Sequence, residues 1–404
     1  MIGIYRNDLI YSVSYALDYL EKEVVMISEN HAKRVAYLAV NIGKTFGLDQ
    51  KALLNLGACA ALHDNALSEY YQKRLINHQM ITPNNFGANL GLHCEMGEKN
   101  MTYLSFYDDI KGSILYHHEN ADGSGPFHKK ADETPLYARI IHLADTLDAL
   151  YDLSTMDEHK YLKISDFVES RKQILYDEKV VDAFLSTFDS EDKLVLHDRC
   201  LKEHFDEVLS EECYYYQPQQ LINLSKMFAK IIDYKSPFTS SHSAGVAEKA
   251  LQMAIYYGYN EDKQAQLYFA GALHDIGKLM VENDILEKPG KLDPQEYDLI
   301  KDHARAGYEV LHRIRGMETI SAWAYKHHEK LDGSGYPFGL KGEALNHEER
   351  LMAVIDIYQA LSETRPYKEP LTHEAVMKIM DQMVKSGKID GQIVQDIDRC
   401  LNTI

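Results

Sequence analysis

The sequence predicts an all-α protein made of two helical bundles in tandem. Three observations support this prediction. Histidine and aspartate residues recur in the same order at one offset along the chain, which is the pattern that a duplicated domain leaves. Several segments combine helical spacing of apolar residues with capping residues at their ends. No segment alternates apolar and polar residues over the length that a sheet would need.

The duplication shows in five landmarks. The first is the pair His31 and His242, which stand 211 residues apart. The other landmarks keep offsets of 210 or 211: His63-Asp64 with His274-Asp275, His93 with His303, His117-His118 with His327-His328, and Asp145 with Asp356. A lone histidine is usually structural, but seven ligand-type residues repeated in order are not expected by chance. The two copies predict domains over residues 1–210 and 211–404.

The elements of the second copy follow in chain order. A helix is predicted for SAGVAEKALQMAIYYG, with Gly258 as its C-terminal stop. The next helix, EDKQAQLYFAGALHDIGKLM, is predicted to carry both His274 and Lys278 on one face. A third helix opens with Asp293 as N-cap, followed by proline. The apolar helix HEERLMAVIDIYQALSE carries the carboxylate Asp356, which must pair or bind a metal if it is buried.

Composition limits the classes of function. The net charge of −19 argues against non-specific binding of DNA or RNA, which needs a basic face. No apolar run reaches the roughly 18–20 residues that span a bilayer, and the N-terminal segment has no basic stretch followed by an apolar one. Neither a membrane span nor a signal peptide is therefore expected. The five cysteines form no CxxC pair, which favours reduced thiols in the cytoplasm.

The repeated residues are of metal-ligand type. Five imidazoles and two carboxylates in the second copy are too many for one tetrahedral zinc site and suit two metals, with an aspartate able to bridge them. Imidazole with carboxylate is compatible with iron or zinc, and the oxygen ligands favour manganese. Two adjacent metals serve phosphoester hydrolysis. Lys278 would add positive charge where negative charge develops.

The second copy resembles a known family. HDIGK, HHEKLDGSGYP and DIYQALSETRPYKEP are similar to the motifs of the HD-GYP family of bacterial cyclic dinucleotide phosphodiesterases, within the HD superfamily. The resemblance extends over residues 221–404. It implies a helical bundle with a di-iron or di-manganese site, with zinc or nickel as alternatives. It also implies hydrolysis of cyclic di-GMP or 3',3'-cyclic GMP-AMP to a linear dinucleotide and onward to mononucleotides.

The resemblance also implies roles for individual residues. Asp275 would bridge the metals and take part in catalysis, and Lys278 would be the catalytic cation. Tyr336 would line the substrate pocket, while Arg365 and Lys368 would hold phosphate oxygens. The implied metal ligands are His242, His274, Asp275, His303, His327, His328 and Asp356.

The chain departs from the family pattern at three positions. Ser236 and Phe238 stand where many relatives carry carboxylates, some of which recruit a third metal. Two metals are therefore expected here. Gln359 replaces the second aspartate of the DxxDAL motif. These changes bear on nucleobase preference more than on the type of reaction.

The first copy keeps every ligand-type residue and loses the cations that would handle substrate. Leu67 stands in place of the catalytic lysine, and Ser154 and Asp157 stand in place of the two phosphate-binding cations. Three interpretations stay open: a degenerate HD domain that binds metal, a metal-free scaffold, and a second hydrolase for another substrate. The candidate ligands are His31, His63, Asp64, His93, His117, His118 and Asp145.

The sequence thus predicts a cytoplasmic, metal-dependent phosphodiesterase that degrades a cyclic dinucleotide second messenger. The second copy would be catalytic and the first regulatory or structural. Two alternatives are a signalling module that binds a cyclic dinucleotide without hydrolysing it, and another nucleotide phosphohydrolase of the HD superfamily. The expected partner is the substrate, with no DNA, RNA or membrane, and a homodimer is left open.

Overall fold

The computed structural model describes residues 1–25, 27–76, 90–194, 196, 213–236, 241–288, 290–364 and 369–402. Over these residues the fold is helical apart from one two-stranded sheet, which confirms the predicted fold class. The chain divides into two compact units. One comprises Leu9–Glu212, and the other comprises Met1–Asp8 with Cys213–Ile404. Among the described helices, none has the length and apolar character that crossing a bilayer requires.

The sheet joins two strands that are far apart in sequence. Strand β1 (Ile2–Tyr5) pairs antiparallel with β2 (Cys213–Tyr216). Four-residue strands are too short to show an alternating pattern, which is why the sequence did not predict a sheet. Because β1 pairs with the strand that opens the second unit, the first eight residues belong to that unit. The sequence analysis placed these residues in a domain over 1–210, whereas the structure groups them with the second unit.

The first unit is a helical bundle centred on α2. Helix α2 packs against α3 and α6, and its residues Val35 and Leu38 are fully buried. Side chains of Asp49, Asp157 and Asp177 cap the N-termini of α3, α7 and α8. The described α-helices of this unit are α1 (Arg6–Val25, which enters the unit at Leu9), α2 (His31–Thr45), α3 (Gln50–Ala61), α4 (Leu67–Ile76), α5 (Leu90–Met101), α6 (Leu136–Tyr151), α7 (Glu158–Ser170) and α8 (Glu178–Thr187).

The second unit repeats this plan, because α10 (His242–Tyr256), the counterpart of α2, packs against α11 (Glu261–Leu273) and α15 (His347–Ser362). Fully buried Phe228 and Phe269 stack in its core, with ring centroids 6.1 Å apart. Its described α-helices are α9 (Pro218–Asp233), α10 (His242–Tyr256), α11 (Glu261–Leu273), α12 (Asn283–Leu286), α13 (Pro294–Leu311), α14 (Glu318–Tyr325), α15 (His347–Ser362), α16 (His373–Lys385) and α17 (Gly391–Leu401).

Most predicted helix ends are confirmed. Asp293 accepts the backbone amide of Glu296 at 2.9 Å as the N-cap of α13. Gly258 has a φ of 68°, the left-handed conformation that stops α10. One prediction is wrong. Helix α11 ends at Leu273, and Lys278 lies on a separate 3₁₀ helix, Ile276–Met280. His274 and Lys278 therefore do not share a face of one α-helix.

Candidate metal centres

The predicted ligands of the second unit come from five places in the bundle. His242 begins α10, His303 lies in α13 and Asp356 lies in α15. His274 and Asp275 follow the end of α11, while His327 and His328 follow α14. Six of the seven residues are at most 6% exposed, and His328 is half-buried. The fold thus brings the seven predicted residues together in its interior.

Backbone carbonyls fix the orientation of three of these imidazoles. The Nδ1 of His274 donates to the Gly271 carbonyl at 2.7 Å, and that of His327 donates to Ala324 at 2.7 Å. His303 makes the same bond to Ile300 at 2.5 Å. Each carbonyl accepts, so each Nδ1 must carry the proton. In the neutral ring the Nε2 atom then presents a lone pair, the form in which histidine binds metal.

These Nε2 atoms point at one another. His274 Nε2 lies 3.2 Å from His242 Nε2, and His303 Nε2 lies 3.3 Å from His327 Nε2. Burial lowers the pKa of both His303 and His327, so these rings stay neutral. The buried lone pairs of His303 and His327 repel each other unless a cation lies between them. The two nitrogens of each pair are close enough to bind the same metal ion.

Asp275 spans the two imidazole pairs. Its Oδ1 lies 3.3 Å from His303 Nε2, and its Oδ2 lies 3.2 Å from His274 Nε2. This arrangement is what a bridging carboxylate needs. Burial alone would raise the pKa of Asp275, but His274 and Lys278 outweigh it and hold this pKa well below its ordinary value. The side chain is therefore an anion at neutral pH.

Asp356 supplies the second carboxylate. Its Oδ1 lies 3.1 Å from His242 Nε2, and its Oδ2 lies 3.7 Å from His328 Nδ1. Burial would lower the pKa of His242, but hydrogen bonds with Asp356 and Glu363 raise it to about 9. A metal bound at Nε2 must displace that proton, so metal affinity rises with pH.

Lys278 reaches the centre from its 3₁₀ helix. Its ammonium lies 2.5 Å from Asp275 Oδ2, and its side chain is 19% exposed. The prediction placed this lysine one α-helical turn from His274, whereas the structure uses a tighter turn closed by the bond from the Lys278 amide to the Asp275 carbonyl, 2.9 Å. The positive charge lies beside Asp275 despite the different turn.

Tyr336, which the resemblance assigns to the substrate pocket, lies beside His328 of the same cluster. Its ring centroid is 4.6 Å from that of His328, and its backbone amide donates to the His328 carbonyl at 3.2 Å. Burial raises the pKa of its phenol. Of the other predicted substrate residues, Arg365 and Lys368 lie outside the described residues, as does Phe238.

The sequence reading missed Glu363. Its Oε2 accepts from His242 Nδ1 at 2.9 Å and from Gln359 Nε2 at 3.0 Å. Gln359 also accepts from Lys249 Nζ at 2.6 Å. A Cβ at Gly245 would clash with the Gln359 side chain. The signal available in the sequence was the loss of an aspartate at position 359, which called for a replacement acid nearby.

The first unit brings the corresponding residues together. His31, His63, His93 and His117 are at most 1% exposed. His63 Nδ1 donates to the Ala60 carbonyl at 2.9 Å, and His117 Nδ1 donates to Ile114 at 2.6 Å. The Nε2 atoms of His93 and His117 face each other at 3.4 Å. Backbone carbonyls therefore orient imidazoles in the first unit as they do in the second.

The carboxylates of the first unit keep the same geometry. Asp64 Oδ1 lies 3.3 Å from His93 Nε2, and its Oδ2 lies 3.7 Å from His63 Nε2. Asp145 Oδ1 lies 3.2 Å from His31 Nε2, and its Oδ2 lies 4.0 Å from His118 Nδ1. A bridging acid between two imidazole groups is thus found in both units.

The surroundings of this second set differ. Leu67, in place of the lysine, is fully buried. Asp157 accepts the Lys160 amide at 2.7 Å as a helix cap, and Ser154 bonds to Asp152 at 2.7 Å. Both residues thus serve local structure. Cys94 has no counterpart ligand in the second unit: burial would raise the pKa of its thiol, but the neighbouring His117 and His93 lower it to about 6.

The outer partner of the first histidine also differs. His31 Nδ1 bonds to Asp148 Oδ2 at 2.8 Å. The fully buried Arg34 donates to both oxygens of Asp148, at 2.7 and 3.0 Å. At the equivalent positions the second unit has Gln359 and Gly245, and Glu363 takes over the bond to the histidine. Each unit thus holds its first histidine with an acid, but from a different position.

Comparison with known families identifies two HD domains. Residues 29–150 match one family described as HD domain, and residues 226–393 match another with the same description. These matches include the seven candidate ligands of each repeat.

Comparison with known proteins finds relatives over most of the chain. The 3'3'-cGAMP-specific phosphodiesterase 1 of Vibrio cholerae is 30% identical over 383 residues, which is 92% of this chain and 86% of that protein. Phosphodiesterase 3 of the same specificity and organism is 30% identical over 321 residues, 77% of this chain and 67% of that protein. A cyclic di-GMP phosphodiesterase response regulator of Xanthomonas campestris is 39% identical over 151 residues, 37% of this chain and 40% of that protein.

A solved structure shares the fold. The crystal structure of a cyclic GMP-AMP specific phosphodiesterase of V. cholerae, V-cGAP3, matches with a TM-score of 0.67 and 22% identity, covering 100% of this chain and 99% of that one. The family follows from three findings: two HD domains, the GYP motif at Tyr336, and a relative matched over nearly the whole chain. The chain belongs to the HD-GYP family of the HD superfamily.

Proposed function

We propose that the chain is a metal-dependent phosphodiesterase that hydrolyses a 3',3'-cyclic dinucleotide to a linear dinucleotide, with catalysis in the second unit. One observation carries the proposal. The Nε2 atoms of four buried histidines converge on Asp275, and the Lys278 ammonium lies beside the same carboxylate. The relatives support the substrate class, because the two that match over most of the chain are phosphodiesterases described as 3'3'-cGAMP-specific.

The residues have separate roles in this proposal. Two divalent cations held by the seven ligands would activate water and neutralise phosphate oxygens near neutral pH. Lys278 adds a cation that can stabilise the negative charge of the transition state. Tyr336 forms one wall beside His328. Arg365 and Lys368 remain proposed phosphate-binding residues on the strength of the RPYK motif.

The donor set supports iron or manganese in this centre. Its described ligand atoms are imidazole nitrogens and carboxylate oxygens, with no thiolate in the clusters around His242, His274 and His303. Such donors suit Fe(II) and Mn(II), with Zn(II) and Ni(II) as the alternatives. Glu363 holds His242 from outside, so the two-metal proposal does not need acids at positions 236 and 238.

For the first unit we propose a structural or regulatory role. It keeps the oriented imidazoles and the bridging acid Asp64, but Leu67 stands in place of the lysine and Asp157 caps a helix.

We place the activity in the cytoplasm, because the cysteines are unpaired in the described residues and a reducing compartment keeps them so.

The test is an anaerobic turnover assay of the full-length chain. The protein is loaded with Fe(II) or Mn(II), offered 3',3'-cyclic GMP-AMP and cyclic di-GMP side by side, and the products are separated by chromatography. We expect linear dinucleotide, formed faster from the mixed substrate. Tight binding without product, with metal confirmed in the second unit, would replace the proposal with a non-catalytic binding module. Turnover of mononucleotides alone would favour another phosphohydrolase.

A further inference from the structure

The first unit contains a ligand-type side chain that the second lacks. Cys94 follows His93, whereas Ala304 follows His303. Cys94 is fully buried and carries a free thiol. Its Sγ lies 3.7 Å from His93 Nε2 and 3.7 Å from His117 Nδ1. The thiol therefore faces the imidazole cluster of the first unit.

Four ligand types form one compact group at this point. Single ligand atoms of His93, Cys94, His117 and His118 all lie within 4.8 Å of one another. Four is the number of protein ligands that a closed, structural zinc site uses. The corresponding group in the second unit contains three histidines and no thiol. The two centres therefore differ in donor type as well as in their substrate-handling residues.

An independent observation points to a cation in this cavity. His63 is 1% exposed, and its Nε2 makes no hydrogen bond. Its Nδ1 donates to Ala60, and its Nε2 lies 3.5 Å from an oxygen of Asp145 and 3.7 Å from an oxygen of Asp64. A buried nitrogen without a hydrogen bond beside two carboxylates is a setting that favours a bound cation.

The separations fit a shared tetrahedral ion. Two nitrogens bound at 2.0–2.1 Å are about 3.3 Å apart, and a nitrogen and a sulfur bound at about 2.3 Å are about 3.5 Å apart. The Nε2 atoms of His93 and His117 are 3.4 Å apart, and Cys94 Sγ is 3.7 Å from His93 Nε2. One ion can thus contact these side chains after small side-chain movements.

We propose that the first unit holds a zinc-type metal site in which Cys94 is a thiolate ligand beside His93, His117 and His118. Thiolate ligands select zinc over iron and manganese, which favour the nitrogen and oxygen donors of the second unit. The chain would then carry two centres of different metal. With protein atoms filling its positions and Leu67 in place of the lysine, the first site stabilises the fold and leaves no place for substrate.

Cobalt substitution of the full-length chain tests the proposal directly. Co(II) replaces Zn(II), and a thiolate bound to Co(II) gives a charge-transfer band in the near ultraviolet that imidazole and carboxylate ligands do not give. We expect this band in the wild-type chain. Cys94→Ala, which installs the residue found at position 304, should abolish it and remove about one equivalent of zinc per chain. The zinc content per chain of the wild type and of the variant is measured by elemental mass spectrometry.

Matched variants separate ligation from folding. Cys59→Ala removes another buried thiol of the first unit and should keep the band. Asp275→Asn, in the second centre, should keep it as well, so the test does not depend on the proposed enzyme activity. Circular dichroism confirms that each variant is folded. A cobalt-loaded first centre without the band, or a band that survives Cys94→Ala, would overturn the proposal.

Discussion

The two units of this chain share a ligand geometry and differ in what surrounds it. In both, backbone carbonyls turn imidazole Nε2 atoms inward, and one aspartate, Asp64 or Asp275, reaches two imidazole groups. Around that geometry the first unit has a buried leucine and a thiol, whereas the second has a lysine 2.5 Å from its bridging acid. The comparison shows that ligand residues alone do not identify a catalytic centre, because the neighbouring charges decide which reaction it can support.

The largest expected effect concerns the buried pair of Arg34 and Asp148. Asp148→Ala removes the carboxylate that accepts two bonds from the buried Arg34 guanidinium, and losing one partner of a buried ion pair costs roughly 3–5 kcal/mol. Hydrogen exchange of the α2 amides measures the loss as a free energy of opening. Gln359→Ala, at the equivalent position, breaks bonds to Lys249 and Glu363 and should cost about 1–2 kcal/mol. Equal losses of stability for the two variants would contradict the conclusion that the two units hold their first histidine with different side chains.

The next effect concerns the lysine that only the second unit has. Lys278→Leu copies position 67 and should reduce kcat roughly 10²–10³-fold with metal content unchanged. Steady-state turnover and metal analysis of the same sample measure both. The reverse variant, Leu67→Lys, should create no second active centre, because Ser154 and Asp157 remain. An unchanged kcat in the first variant, or new activity in an Asp275→Asn chain carrying the second, would contradict the assignment.

A third effect concerns the acid that anchors the first ligand helix of each unit. Asp233 accepts the amides of Ser243 and Ala244 at 2.8 and 3.2 Å, and burial raises its pKa to about 6. The folded chain then holds this proton more tightly than the unfolded chain. This contribution to stability is complete below about pH 4 and is lost as the pH rises through about 6.

Asp233→Asn should remove that dependence. Between pH 4 and 7 the unfolding free energy of the chelated wild type should fall by about 3 kcal/mol more than that of the variant. Urea unfolding at both pH values gives the difference. Asp18, which accepts the Ala32 amide at 3.0 Å and whose pKa burial also raises to about 6, should behave with the same sign. Identical pH dependence in variant and wild type would show that the acid is already ionised.

The smallest effect concerns Glu363 as the positioning residue of His242. Glu363→Ala should weaken metal binding in the second unit roughly 10–100-fold, and Glu363→Gln should weaken it less, since its amide oxygen can still accept from Nδ1. Competition with a chelating dye measures the affinity, in a chain whose first centre is disabled by Cys94→Ala. Equal affinities for all three chains would show that His242 needs no outer partner.

The ligand sets could be predicted from the sequence because each ligand residue of one unit recurs at the same offset in the other. One histidine in a helix carries little information, whereas His242 and its counterpart His31 at the same offset carry much more. Helix ends with side-chain caps, such as Asp293, were also predictable, because the capping hydrogen bonds join residues that are close in sequence. Glu363 and Cys94 were not predicted, because their roles depend on contacts between segments that only the folded chain brings together.

The path of the chain after His274 was also beyond the sequence. The segment following Leu273 has helix-forming residues, yet the helix stops there and a 3₁₀ helix presents Lys278. A Cβ at Gly277 would clash with the backbone of His303, so this turn is pressed against α13. Local helix propensity does not depend on that packing, so the sequence alone did not predict where the helix ends. The strand Ile2–Tyr5 was missed for a similar reason, because its partner lies some two hundred residues away.

The division of labour between the units is tested most directly by disabling one bridging acid at a time. Asp64→Asn and Asp275→Asn chains are loaded anaerobically with Fe(II), and linear dinucleotide formed from 3',3'-cyclic GMP-AMP is measured by chromatography. We predict wild-type turnover for Asp64→Asn and background turnover for Asp275→Asn. Turnover that survives Asp275→Asn and is lost in Asp64→Asn would contradict the account.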